Sequence, residues 1–245
     1  MLDLMRYLKG AGLGLGLLGL VACGTQGELS SEVKVVGGSV AKDGGIIESS
    51  TVALTDSRGT PFCTGTLISP THVVSAAHCL SRRSTVYIAF GIDSRDFQYI
   101  EADRFLAHPD FDFNLNKSVV SDISILELST PAPEGFNPVK IHKSGVRAGD
   151  RVYVAGYGLT ESYSQGTLRY KEVSVSGQDA DEIQVTSGAC NGDSGGPLYI
   201  YDGSQLTVVG ATSRGDTSNC AQATATYSNI PYFLSWMENW AGQEF

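Results

Sequence analysis

Three short stretches of the 245-residue chain carry side chains suited to acting on one another. "VVSAAHC" (73–79) sets His78 beside Cys79, and "SDISILEL" (121–128) sets one carboxylate, Asp122, at the head of an apolar run. "CNGDSGGP" (190–197) sets Ser194 in a glycine-rich turn. A serine hydroxyl attacks poorly until a base removes its proton, and that base needs a carboxylate to orient it and steady its imidazolium form. Glycines around the serine let backbone N–H groups turn toward one point, where they hold an oxyanion.

Each stretch alone has an ordinary explanation: a satisfied core histidine, a strand-edge aspartate, a glycine loop. "GDSGG" also fits the G-x-S-x-G elbow of α/β-hydrolases. That fold needs a histidine after the serine, whereas His72, His78, His108 and His142 all precede Ser194. The α/β-hydrolase reading fails, and the surviving order is His, Asp, Ser.

The elements that must position these residues are strands. From 51 to 230 the chain is mostly short β-type runs, among them 66–68, 72–74, 86–89, 151–154 and 206–209, divided by turn signals. Asp202-Gly203 reads as a two-residue hairpin turn. Such spacing argues an antiparallel sandwich or barrel and not βαβ units. One helix is expected at the end, where Pro231 suits a first turn and Phe233, Leu234, Met237 and Trp240 follow at helical spacing.

With the order established, the chain resembles the trypsin/chymotrypsin family of serine proteases over residues 35–245. "VVGG", "FCTGTLISPTHVVSAAHC", "SDISILELS" and "GDSGGP" fall in family order at family-like intervals. The resemblance implies an all-β fold: two six-stranded antiparallel β-barrels packed together, with a C-terminal helix. It implies a serine endopeptidase with Ser194 as nucleophile, His78 as general base and acid, and Asp122 as orienting carboxylate. The N–H groups of Gly192 and Ser194 would form the oxyanion hole, and Ser213 would support the buried aspartate. Cys63–Cys79 and Cys190–Cys220 match two family disulfides, each closing a loop that contributes about 3–4 kcal/mol on a chain-entropy model. His108-Pro109 also matches a family stretch and reads as structural. A catalytically weak or inactive binding module is the alternative, but inactive members usually lack one of the three catalytic residues, and all three are present here. A lipid-anchored adhesion domain would not need three ordered stretches.

The specificity pocket departs from the trypsin branch. Six residues before the serine stands Gly188, not a carboxylate, followed by Ala189, with Ser213, Gly215 and Ala225 completing the expected pocket. A buried cation with no partner would cost several kcal/mol, so an apolar, chymotrypsin- or elastase-like preference is expected. Asp216 near the mouth is the one feature that would favour basic substrates. Arg214 replaces a common family tryptophan, and a cation there is expected to favour acidic or polar residues upstream of the cut. The loop after Gly91 is short and lacks paired glutamates, and no His, Cys or carboxylate cluster appears, so no metal and no cofactor is expected.

The formal net charge of −9 repels phosphate backbones, which excludes nucleic acid as a partner. At the start, Arg6 and Lys9 precede an apolar segment, 11–22, too short to span a bilayer, and "LVACG" resembles a bacterial lipobox with Cys23 as the lipidated residue. If Cys23 carries lipid, four cysteines remain, which by count alone pair in three ways. The expected divisions are a signal peptide (1–22), a tether and activation peptide (23–34), a first barrel (35–140) and a second barrel with the helix (141–245).

The family also implies a zymogen. Cleavage after Lys34 would free the α-ammonium of Val35 to pair with Asp193, beside Ser194. Lys34 lies eleven residues beyond Cys23, so a flexible tether of that length reaches roughly 20 Å from a membrane. The cut would both activate and release the enzyme. Because Gly188 argues against basic substrates, a separate protease of basic preference is expected to make it. The expected product is an exported bacterial lipoprotein, periplasmic or cell-surface, that becomes a soluble monomer acting on protein or peptide substrates.

Overall fold

The computed structural model describes residues 38–112, 120–160, 164–186, 189–216 and 224–245. The strands are β1 (Ser39–Val40), β2 (Thr51–Thr55), β3 (Pro61–Ser69), β4 (His72–Ser75), β5 (Tyr87–Phe90), β6 (Gln98–Ala107) and β7 (Ser124–Leu128). There follow β8 (Lys140–Ile141), β9 (Arg151–Gly156), β10 (Arg169–Gln178), β11 (Glu182–Val185), β12 (Pro197–Tyr201), β13 (Leu206–Gly215) and β14 (Ala225–Asn229). The chain ends in helix α1 (Ile230–Ala241).

Strands β2-β3-β4-β7-β6-β5 form a closed antiparallel barrel. A second ring runs β9-β10-β11-β14-β13-β12, closed by the β12–β9 and β10–β9 pairings. β1 attaches antiparallel to β10, and β8 attaches parallel to β13.

Period-2 alternation explains how the first barrel both fills itself and faces its neighbour. Val52 and Leu54 of β2, Val73 of β4, Ile88 and Phe90 of β5, and Leu126 of β7 pack into the barrel interior. The alternate residues Ala53, Val74, Ala89 and Ile125 join instead the core shared with the second barrel. Each buried Val, Leu or Ile contributes about 1.5–3 kcal/mol, so a one-residue slip would misplace both sets and the register is firmly fixed.

The helix begins as the sequence predicts, with Pro231 in its first turn. Ile230, Phe233 and Met237 are buried. It ends at Gly242, whose φ of 69° is left-handed and whose N–H bonds to Glu238 C=O at 2.8 Å, a usual C-cap. Beyond it, Gln243 Nε2 lies 3.3 Å from His72 Nδ1, and the Arg104 guanidinium sits 4.0 Å from the Trp240 ring, so the C-terminus straps onto the first barrel. His108 packs between Phe233 and Trp236, in the structural place expected of it.

One turn differs from expectation. Tyr201 pairs with Leu206, so the β12–β13 connection has four residues, not two. The Asp202 carboxylate accepts the N–H groups of Ser204 (2.9 Å) and Gln205 (2.8 Å), and Gly203 takes φ 94°. That side-chain cap favours the wider loop over an Asp-Gly two-residue turn.

Candidate active site

His78 stands on a 3-10 turn, Ala77–Leu80, that follows β4 directly. The Cys63–Cys79 disulfide ties this turn to β3, with the Cα atoms 6.2 Å apart, as the resemblance implies. Asp122 precedes β7, just after Ser121, which holds a left-handed φ of 51°. This turn brings the carboxylate under His78. Asp122 Oδ2 accepts the Nδ1–H of His78 at 2.7 Å, and Oδ1 accepts its backbone N–H at 2.9 Å. Ser213 Oγ, from β13 of the other barrel, also donates to Oδ2 at 2.7 Å. The Asp122 side chain is 2% exposed, against 24% for His78. Three donors thus satisfy the buried carboxylate. Because Nδ1 donates, Nε2 of the neutral ring is the acceptor.

Ser194 lines the same cleft as His78, together with Asn191 and Gly192. The peptides around it are fixed one by one. Asn191 C=O accepts Leu159 N–H at 2.8 Å, and Asp193 C=O accepts Gly196 N–H at 2.8 Å. In a planar trans peptide the N–H points opposite to the C=O. The N–H groups of Gly192 and Ser194 are therefore turned away from the loop body, and among the described residues neither has an acceptor. Gly192 needs its φ of 97°, and a Cβ there would come within 2.8 Å of Gly158 Cα.

Thr64, not singled out in the sequence, is the link between the barrels at this loop. Its hydroxyl donates to Gly192 C=O at 2.9 Å and accepts Tyr157 N–H at 3.2 Å. Its own N–H bonds to Ser194 C=O at 2.8 Å. The signal available was a hydroxyl beside Cys63, within a stretch otherwise rich in family features.

Asp193 is buried, and its carboxylate lies against Gly156 and Gly158, where any Cβ would overlap it. It accepts the N–H groups of Gly158 and Cys190, both at 2.9 Å. Burial nonetheless pushes its pKa up to about 7, because two neutral donors do not replace water around a charge. Among the described residues it forms no ion pair.

The expected pocket residues are placed in part. Gly215 and Ala225 are register partners across β13 and β14, and Ala189 and Ala225 are buried. Gly188 lies outside the described residues, as do Cys23, Lys34 and Val35. Cys190 is disulfide-bonded, and its expected partner Cys220 also lies outside them.

One expectation about charge is corrected. Arg214 is not a free cation for substrate, because its Nη1 and Nη2 pair with Glu182 Oε1 (2.6 Å) and Oε2 (2.9 Å). Asp216 keeps its charge but is oriented by Thr224, whose N–H and Oγ–H it accepts at 3.0 and 2.8 Å. Among the described residues, Cys63, His78 and Cys79 cluster as metal ligands would, but both sulfurs are spent in the disulfide.

Comparison with known proteins agrees with this arrangement. The trypsin family model matches residues 35–237. Brachyurin of Leptuca pugilator is 31% identical over 74% of this chain and 88% of its own length. Serine protease 56 of Mus musculus is 27% identical over 84% of this chain but 38% of its own, and the mouse vitamin K-dependent protein C is 25% identical over 89% and 54%. A His–Asp pair braced from the second barrel, a serine in the same cleft and a match running from the first strand into the helix have one explanation: the chain belongs to the trypsin family of serine-type endopeptidases.

Proposed function

We propose that Ser194, His78 and Asp122 hydrolyse peptide bonds in an exported enzyme made as a zymogen. The observation that carries this reading is the shared Asp122 carboxylate, which holds His78 in the tautomer whose Nε2 accepts a proton. His78 takes the Ser194 hydroxyl proton as Oγ attacks the scissile carbonyl carbon. The N–H groups of Gly192 and Ser194 hold the resulting oxyanion. When the C–N bond breaks, His78 returns the proton to the leaving amine. Water then repeats the cycle on the acyl-enzyme, regenerating Ser194.

The pocket reading favours an apolar residue on the acyl side of the cut, since Ala189, Gly215 and Ala225 offer no charge and Gly188 replaces a carboxylate.

Activation is proposed to follow cleavage after Lys34. The buried Asp193, held only by neutral donors among the described residues, suits the incoming ammonium of Val35. The lipobox-like "LVACG" supports a lipid anchor on Cys23, from which the same cut releases the enzyme. Treating the wild-type chain and Ser194→Ala with immobilised trypsin, then profiling both against a peptide library, tests these points together. Cleavage after apolar residues is expected only from the treated wild type. Equal activity before and after treatment, or in Lys34→Gln, refutes the zymogen reading, and active enzyme still bound to membranes refutes coupled release.

A further inference from the structure

The cleft that holds Ser194 and His78, about 320 Å³ in volume, also contains a cation that the proposed mechanism does not use. Arg83 is held at its rim by two contacts. Its Nε donates to Cys79 C=O at 3.1 Å, and its guanidinium carbon lies 3.2 Å from the centre of the Phe62 ring. Stacking on an aromatic face fixes the plane of the guanidinium and leaves its terminal N–H groups for another acceptor.

Among the described residues no carboxylate lines this cleft and Arg83 is in no ion pair. The carboxylate whose charge acts on Arg83 is Asp56. Asp56 is bent into its own turn, accepting the N–H groups of Arg58 and Thr60 at 2.9 and 3.0 Å. Arg83 is thus a positioned cation, outside any direct ion pair among the described residues, in the same cleft as the reacting groups of a protein whose net charge is −9.

The chemistry indicates which half of a substrate would meet it. The acyl half must lie against the second barrel, where Gly192, Ser194 and the pocket residues Ala189 and Ala225 stand. His78 must deliver its proton to the leaving nitrogen, so the leaving half extends from His78 across the first barrel. There it passes the Cys63–Cys79 disulfide and Phe62, the residues that share the cleft with Arg83.

We propose that Arg83 is a specificity-determining residue, pairing with an acidic side chain at the first or second position after the scissile bond. The proposal rests on the protease reading above and adds a substrate class to it: peptides apolar before the cut and acidic after it.

The test uses the full chain after immobilised trypsin has acted and been removed. The burst from a p-nitrophenyl ester, which has no residues after the cut, counts working sites and checks folding of each variant. Quenched peptides carrying Glu, Gln or Lys at each of the two positions are then compared per titrated site. Wild type is expected to prefer Glu to Gln about three- to tenfold at one position, with the ratio shrinking as salt is added. Arg83→Gln should abolish the ratio, Arg83→Glu should reverse it toward Lys, and Arg83→Lys should retain part of it. A full burst with no Glu preference in wild type, or the same preference in Arg83→Gln, overturns the assignment to Arg83. Absence of any burst from wild type instead refutes the protease reading on which the proposal stands.

Discussion

Asp193 gives the sharpest quantitative test of the zymogen reading. Its pKa in the folded chain is about 7, against an ordinary value of 3.8. At 1.36 kcal/mol per unit, that separation corresponds to about 4 kcal/mol. The sign follows from which state binds the proton more tightly. The folded state does, so this contribution is fully present below about pH 4 and is lost as the pH rises to about 7. Asp193→Asn removes the titrating group. The stability of the uncut Asp193 chain relative to Asp193→Asn should therefore fall by about 4 kcal/mol between pH 4 and pH 8. In urea that moves the midpoint difference by about 2 M for a slope of about 2 kcal/mol/M. Ser194→Ala in both backgrounds prevents self-digestion during the measurement. After cleavage behind Lys34, the new ammonium, with a reference pKa of about 7.7–8.0, should pair with the carboxylate and flatten the loss up to that range. Parallel pH dependence in the two uncut chains would refute the idea that Asp193 stands unneutralised, and an unchanged slope after cleavage would refute its pairing with the new terminus.

Three other outcomes follow from single contacts. Asp122→Asn cannot hold His78 in the same tautomer, and kcat should drop by about four orders of magnitude with little change in KM. Thr64→Val removes the hydroxyl that anchors Gly192 C=O and Tyr157 N–H. Its kcat should fall about tenfold with KM nearly constant, and Thr64→Ser should restore most of it; a loss confined to KM would count against a positioning role. Glu182→Gln should release Arg214 and create an acidic preference upstream of the cut of about threefold, absent in wild type, as read from a peptide library.

The parts of the site that could be read from the sequence are those whose logic runs along one strand or one turn. The β-type runs at 72–74, 86–89, 151–154 and 206–209 fall on β4, β5, β9 and β13. The order of His78, Asp122 and Ser194 eliminated the α/β-hydrolase arrangement before any geometry was known. What stayed hidden depends on neighbours across strands. Arg214 looked like a free cation because its partner lies 32 residues upstream, on β11. Arg214 and Gln184 share one register partner, Thr226 of β14, so the guanidinium reaches over an intervening strand to Glu182. No spacing within either segment encodes that reach. Thr64 was missed for the same reason, since its hydroxyl acts on Gly192, 128 residues away in the other barrel. Residue type and order thus indicate which bond is attacked, whereas charge and polarity in the cleft are decided by pairings between elements. Arg214 and Arg83 show the consequence: two arginines alike in sequence, one paired with Glu182 and one stacked on Phe62 in the cleft of His78 and Ser194.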